Sequence, residues 1–131
     1  MPASCRELDF SAIAASFERG GHWVMHSDFA EPAQLAKQLA ENADLLQGDH
    51  VHTLMPMNPP PYVEPEIVSQ LNIHTFFPGG GLRKAVNSGL VTPRRCVLSE
   101  IPQFFQSGEI AANVILLQVS KPNDKGQVSL G

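Results

Sequence analysis

Ser27, Asp28 and Glu31 follow a short aromatic and β-branched run, His22-Trp23-Val24-Met25-His26. In that place they could polarise a substrate or, through backbone N–H groups at a helix start, hold an oxyanion. The same positions suit Ser27 or Asp28 to a plain helix cap. Gly79-Gly80-Gly81 precedes a stretch of helix formers and would expose backbone N–H groups as a cradle for an anion or acyl group, or simply make a tight turn. Neither a Walker lysine-hydroxyl pattern nor a G-x-G-x-x-G fingerprint accompanies it. His22, His26, His50, His52 and His74 fall on three predicted strands, and His50 and His52 share a face. That pair invites a metal, yet no cysteine or carboxylate stands at ligand spacing, so packed or edge histidines are the expectation and no metal is assigned. Ser99-Glu100 offers a hydroxyl and a carboxylate, or an ordinary helix start with an acid in its first turn. Tyr62 is either a lid contact or a ring packed on prolines. No set of nucleophile, base and orienting group can be named, so no catalytic residue is assigned.

The elements that must carry these residues alternate. Phe10 to Arg19 has helical spacing and ends at Gly20-Gly21, and His22 to His26 reads as the first strand. From Pro32 to Leu46 the residues Leu35, Leu39, Ala43 and Leu46 form one apolar stripe of a surface helix. His50 to Met55 is a second strand, broken at Pro56, and the prolines of Pro56 to Pro65 predict a fixed extended loop. A short helix over Glu66 to Leu71, a third strand over Ile73 to Phe77 and a helix over Leu82 to Ser88 come next. Arg95 to Ser99 is expected as the fourth strand and Glu100 to Gln106 as a helix. Asn113 to Val119, the most apolar run, is expected as a strand buried on both faces at the sheet's centre. Gln127 to Leu130 reads as a further strand cut off at Gly131, which points to a truncated chain. The fold class is therefore α/β, an open, mostly parallel sheet flanked by helices. In such a sheet ligands gather at the carboxyl ends of the strands, here the loops Ser27 to Pro32, Pro56 to Pro65 and Pro78 to Gly81.

Size and charge narrow the function classes. The 131 residues, 14.2 kDa, make one domain, too small for a two-domain enzyme. With a net charge of −4 and a pI near 5.6 the chain lacks the basic excess of a nucleic-acid binder. Residues 66–131 carry six bases against four acids, a mild preference for hosting a small anion in that half. No apolar run reaches the roughly 18 residues a membrane span needs, and no export signal opens the chain. Cys5 and Cys96 suggest no disulfide framework, so the cytoplasm is the expected compartment.

Several blocks, in order, carry a family resemblance. They are Pro60-Pro61-Tyr62-Val63-Glu64-Pro65-Glu66, Phe76-Phe77-Pro78-Gly79, Leu82 to Gly89, Leu98-Ser99-Glu100-Ile101-Pro102, and Gln118-Val119-Ser120-Lys121-Pro122 through Gly126 to Ser129-Leu130-Gly131. Together, from about Gly20 onward, they resemble the N-terminal domain of the acetyl-CoA hydrolase/transferase family, which includes 4-hydroxybutyrate and succinyl-CoA:acetate CoA-transferases. The resemblance implies a CoA-transferase-like, Rossmann-like layer. It also implies that residues 1–131 are an N-terminal domain whose C-terminal catalytic domain is absent, with acyl-CoA and a small carboxylate as partners. Coenzyme A would enter as a thioester substrate, with no further cofactor. The family's nucleophile is a glutamate of the C-terminal domain, passing through an acyl-glutamyl anhydride and a glutamyl-CoA thioester. Glu31 and Glu100 are therefore not placed in that role.

The carry-over covers substrate-binding positions Ser27, Asp28, Phe29 and Ala30 in the turn after the first strand, and Gly79, Gly80, Gly81 and Arg83 as cleft-forming positions. The chain departs from the family pattern at His26-Ser27-Asp28, where glycines are frequent, and near Gly80 and Gly81, where an asparagine is common. The expected function is part of an enzyme that transfers coenzyme A between an acyl-CoA and a carboxylate, or hydrolyses acetyl-CoA, and the chain alone is expected to be inactive. The alternative is a non-catalytic interaction module related to that domain. Acyl specificity, transfer against hydrolysis, and self-association stay open, and a free-standing nucleotide binder lacks its phosphate-loop signature.

Overall fold

The computed structural model describes residues 8–26 and 30–130. Among them the strands β1 (His22–Met25), β2 (His50–Thr53), β3 (Asn72–Thr75), β4 (Thr92–Pro93) and β5 (Ala112–Leu116) form one sheet in the order β4-β3-β2-β1-β5. Every neighbouring pair is parallel. The chain walks outward from β1 to β4, then returns to add β5 on the far side of β1. The direction of winding therefore reverses between β1 and β5, and crevices form at such a point beside the carboxyl ends of the strands.

Side chains alternate across the sheet and divide it into two unlike faces. Trp23, Met25, Val51, Ile73 and Leu116 turn to a face covered by the helices α1 (Phe10–Ala14), α2 (Ala33–Glu41), α3 (Pro65–Val68) and α4 (Gly79–Asn87), in one core with Phe10, Leu39, Val68 and Leu82. Trp23 and Leu39 are wholly buried, each worth roughly 1.5–3 kcal/mol of transfer free energy. Phe10 stacks on Trp23 with ring centroids 5.6 Å apart. Asp49, 4% exposed, closes the amino end of this face. Its Oδ1 accepts the N–H groups of Gly20 and Gly21, both at 3.0 Å, and its Oδ2 accepts Trp23 Nε1–H at 2.9 Å. The opposite face carries His22, His50, His52 and His74, and α5 (Ile101–Gln106) packs on it through Phe104 and Phe105 against Phe76.

Several expected elements differ. β5 lies at the sheet edge, with Asn113 and Ile115 exposed, because the return from β4 leaves it only β1 as a neighbour. An apolar run marks a strand but does not say how many neighbours it has. The fourth strand is Thr92–Pro93 rather than Arg95 to Ser99. The latter segment is extended and then enters a 3₁₀ turn at Leu98–Glu100, where Glu100 Oε2 accepts Val97 N–H at 2.8 Å. That bond bears out the helix-start reading of Ser99-Glu100. Helix α1 stops at Ala14, five residues short of Arg19, where the Ser16 hydroxyl bonds the Ile13 carbonyl at 2.6 Å. Gln127 to Leu130 forms no strand of the sheet. It folds back on its own turn, with Asn123 Oδ1 accepting Lys125 and Gln127 N–H and Ser120 N–H reaching Ser129 O.

Candidate functional site

Because the strands are parallel, the carboxyl ends of β1, β2 and β3 lie along one rim, and the segments after β2 and β3 meet there. The rim is stitched by main-chain bonds from Phe76 N–H to Thr53 O at 3.2 Å and from Met55 N–H to Phe77 O at 2.8 Å. Met55 has φ of +49°, the left-handed region, and no other described non-glycine residue has positive φ. Its twist lays Pro56 to Asn58 against the first turn of α4. There Gly79 and Gly81 leave the room: a Cβ on Gly81 would lie 2.3 Å from Asn58 O and 2.6 Å from Pro56 O, and one on Gly79 3.0 Å from Met55 Cα. The glycines thus sit inside the helix, whereas the sequence placed them in a loop before it. Gly81 N–H is donated to Pro56 O at 3.0 Å, so close backbone packing accounts for this glycine. Gly80 and Arg83 are exposed on the same helix.

Between the first two loops lies a hollow of about 260 Å³, walled by Glu31, Ala33, Ala36, Met57, Asn58 and Pro59 to Pro61. Among the described residues Glu31 is its only ionisable lining group. Tyr62 donates its hydroxyl to Glu31 Oε1 at 2.5 Å and is wholly buried, which excludes the lid role and makes it a fixed anchor. Burial pushes the Glu31 carboxyl above its ordinary range, and the Tyr62 hydroxyl works against that push. Burial first, and then the neighbouring Glu31, hold the Tyr62 phenol well above its own ordinary value. A second hollow, of about 600 Å³, lies beside Leu8 to Ser11 and the last turn of α2, at the amino end of the sheet and away from the rim. Sequence reasoning singled out Glu31 and Tyr62 separately. Their pairing across 31 positions had no local signal, since it depends on β1 and β2 lying side by side.

On the other face the histidines form a ladder of two hydrogen-bonded pairs. His22 Nδ1 lies 2.8 Å from His52 Nε2, and His50 Nδ1 lies 2.9 Å from His74 Nε2. The rings stack, with centroids 4.6 Å apart for His22 and His50 and 5.0 Å for His52 and His74. His52 is 2% exposed, and its Nδ1 has no hydrogen-bond partner among the described residues. Burial, then the neighbouring His74, His22, His50 and Arg94, push its pKa from 6.5 down to about 3. His22 and His74 are lowered too, chiefly by burial. Among the described residues no three histidine, cysteine or acidic side chains are grouped so as to hold a metal ion. No helix among them is long and apolar enough to cross a membrane.

The N-terminal domain profile of acetyl-CoA hydrolase/transferase matches residues 7–131. The chain belongs to that family. It is 31% identical over 101 residues to the 4-hydroxybutyrate coenzyme A transferase of Clostridium kluyveri, covering 77% of this chain and 24% of that protein. It is 30% identical over 117 residues to a succinyl-CoA:acetate/propanoyl-CoA:succinate CoA transferase of Fasciola hepatica, covering 86% and 23%. The chain thus spans about a quarter of the length of these relatives. In fold it is similar to RipA from Yersinia pestis, with a TM-score of 0.71 at 20% identity, over 92% of this chain and 30% of that one.

Of the positions this family resemblance marked, Gly79 and Gly81 lie where α4 meets the proline loop, and Ala30 immediately precedes Glu31, which lines the hollow. Arg83 stands one turn further along α4. Ser27, Asp28 and Phe29 lie outside the described residues, as does Cys5.

Proposed function

We propose that this domain supplies one wall of the active cleft of a CoA-transferase, an enzyme that moves coenzyme A between an acyl-CoA and a small free carboxylate. The observation that carries the reading is the family match over nearly the whole chain, on a sheet whose first three strands end at one rim beside the β1/β5 crevice. In this reading Ser27 to Ala30 and the Gly79 to Gly81 turn, with Arg83, border the substrate. The reacting glutamate comes from the C-terminal domain. Its carboxylate attacks the thioester carbonyl and expels the CoA thiolate, leaving an acyl-glutamyl anhydride. The thiolate then attacks the glutamyl carbonyl of the anhydride, releasing the first acid as its carboxylate and leaving glutamyl-CoA. A second carboxylate reverses these two steps and departs as the new acyl-CoA. Water in place of that carboxylate gives hydrolysis.

The test is exchange between acetyl-CoA and an isotopically labelled carboxylate by the complete protein, with borohydride trapping of the glutamyl thioester read by peptide mass. Exchange together with a trapped glutamate outside residues 1–131 is the expected result. A complete protein that exchanges no acid, or one trapped on a glutamate within these residues, refutes the reading.

A further inference from the structure

On the histidine face four imidazoles from three strands touch one another, and among the described residues no carboxylate bonds to any of them. A proton added to His52 becomes a buried charge on a ring whose Nδ1 has no acceptor among those residues. The groups that face this ring are His22 from β1, His50 from its own strand, His74 from β3 and Arg94 from the segment after β4, and none of them is an acid. Asp49 acts on His22, but its oxygens are committed to Gly20, Gly21 and Trp23 on the other face. Helix α5 brings no charge of its own, since Ile101 to Gln106 holds no ionisable residue.

That helix is fastened lightly. None of its residues is buried. Phe104 and Phe105 meet Phe76 with ring centroids 6.0 and 6.1 Å apart, and Phe76 stacks in turn on His52 at 6.2 Å. The Arg94 guanidinium lies 4.7 Å from the centre of the Phe104 ring and pairs with Glu109. Phe76 and Ile110 are buried, yet both stand outside the main core. Each of these contacts is individually weak. Arg94 therefore holds the helix down and at the same time faces His52 and His74 as a like charge once either takes a proton.

We propose that the ladder is an acid-sensitive latch for the α5 segment: while its imidazoles are neutral, Val97 to Ile110 stay docked, and protonation favours a form in which that segment lifts from the sheet while the strands remain paired. Lifting the segment with Arg94 brings water to the ladder and removes its nearest cation, so the open form accepts the proton that the closed form refuses. The proposal does not depend on the CoA-transfer reading.

The test is hydrogen exchange of the complete protein at pH 7.5 and pH 5.5, read by peptide mass, with every rate divided by its unfolded-chain rate at that pH. Residues 97–110 should exchange through an opening of their own, faster than the strands and almost unchanged by low urea, because a local opening exposes little surface. With His52 near 3 in the closed form and near 6.5 once wetted, this opening should become roughly tenfold more frequent, or more, at the lower pH. His52→Gln takes no proton and should lose most of that rise. Glu109→Gln, at an exposed position, frees Arg94 from one partner and should raise opening at both pH values while leaving their ratio, which keeps the test decisive if His52→Gln folds poorly. Exchange of residues 97–110 in step with the strands, or through a separate opening indifferent to pH, overturns the proposal. So does a full rise in His52→Gln, or a rise abolished by Glu109→Gln, which would place the response in the ion pair.

Discussion

Lowering the pH should weaken the fold through the histidine ladder, and His52 sets the amount. Its ring is buried, its Nε2 is already paired with His22, and its Nδ1 has no acceptor, so a second proton would sit on a desolvated cation beside three other imidazoles and Arg94. With a pKa of about 3 in the folded protein against an ordinary 6.5 in the unfolded chain, the unfolded state binds the extra proton first. The stability His52 contributes is therefore whole above 6.5 and is lost as pH falls toward 3. At pH 5 the loss is about 1.4 kcal/mol for each of roughly 1.5 logarithmic units, or about 2 kcal/mol. His22 and His74, also lowered, act with the same sign.

The assay is urea unfolding at pH 7.5 and at pH 5, followed by fluorescence of Trp23, the one tryptophan of the sequence, with histidine ring-proton NMR across the same range. Wild type should lose about 2 kcal/mol or more over that window. His52→Gln replaces the ring with a group that does not titrate, so the variant should lose about 2 kcal/mol less, whatever its stability at pH 7.5. Carboxylates such as Glu31 titrate in both proteins and drop out of the difference. Equal losses in the two proteins, or a His52 resonance that titrates near pH 6.5 in the folded state, would refute the reasoning.

Three further outcomes follow from geometry elsewhere. Gly81→Ala forces a Cβ against the backbone oxygens of Pro56 and Asn58, which cannot swing aside as a side chain would. It should cost about 1–3 kcal/mol in chemical denaturation and shift amide resonances of the proline loop. Asp49→Ala strips the acceptor from two main-chain N–H groups and the Trp23 indole, so thermal and urea unfolding should show a loss of about 3 kcal/mol or more. Tyr62→Phe removes the hydrogen bond that favours ionised Glu31, so the Glu31 pKa, read by carboxyl-carbon NMR, should rise further in the variant.

The layer was legible because its signals are local. The runs His22 to His26, His50 to Met55 and Ile73 to Phe77 lie over β1, β2 and β3, and the stripe at Leu35, Leu39, Ala43 and Leu46 marks α2 with the 3₁₀ turn that continues it. What failed to show was pairing between distant segments. Ile115 and Leu117 belong to a run apolar enough for a sheet centre, yet Ile115 is exposed on an edge strand and Leu117 is exposed just past its end, since order in a sheet depends on where the return from β4 lands. Nor does Thr92-Pro93 look like a strand: its two residues borrow their place from the β3 register, where His74 faces Thr92 and Thr75 faces Pro93. His50 and His52 shared a face on paper, but only the parallel register brings His22 and His74 alongside to turn a pair into a ladder.

The rim shows why the glycines and the hollow belong together. A left-handed Met55 costs roughly 1 kcal/mol or more that a relaxed loop would avoid, and it persists only because its surroundings fix it. They do so by the bond from Met55 N–H to Phe77 O, by the bond from Gly81 N–H to Pro56 O, and by the missing side chains of Gly79 and Gly81. These constraints orient Met57 to Pro61, which form the wall of the hollow facing Glu31, and the following residue, Tyr62, enters the core and holds the carboxyl. The Glu31 acceptor and its wall are therefore positioned by strand ends and a helix start rather than by the loop's own preferences. A wall fixed in this way holds its geometry whatever the loop sequence alone would prefer.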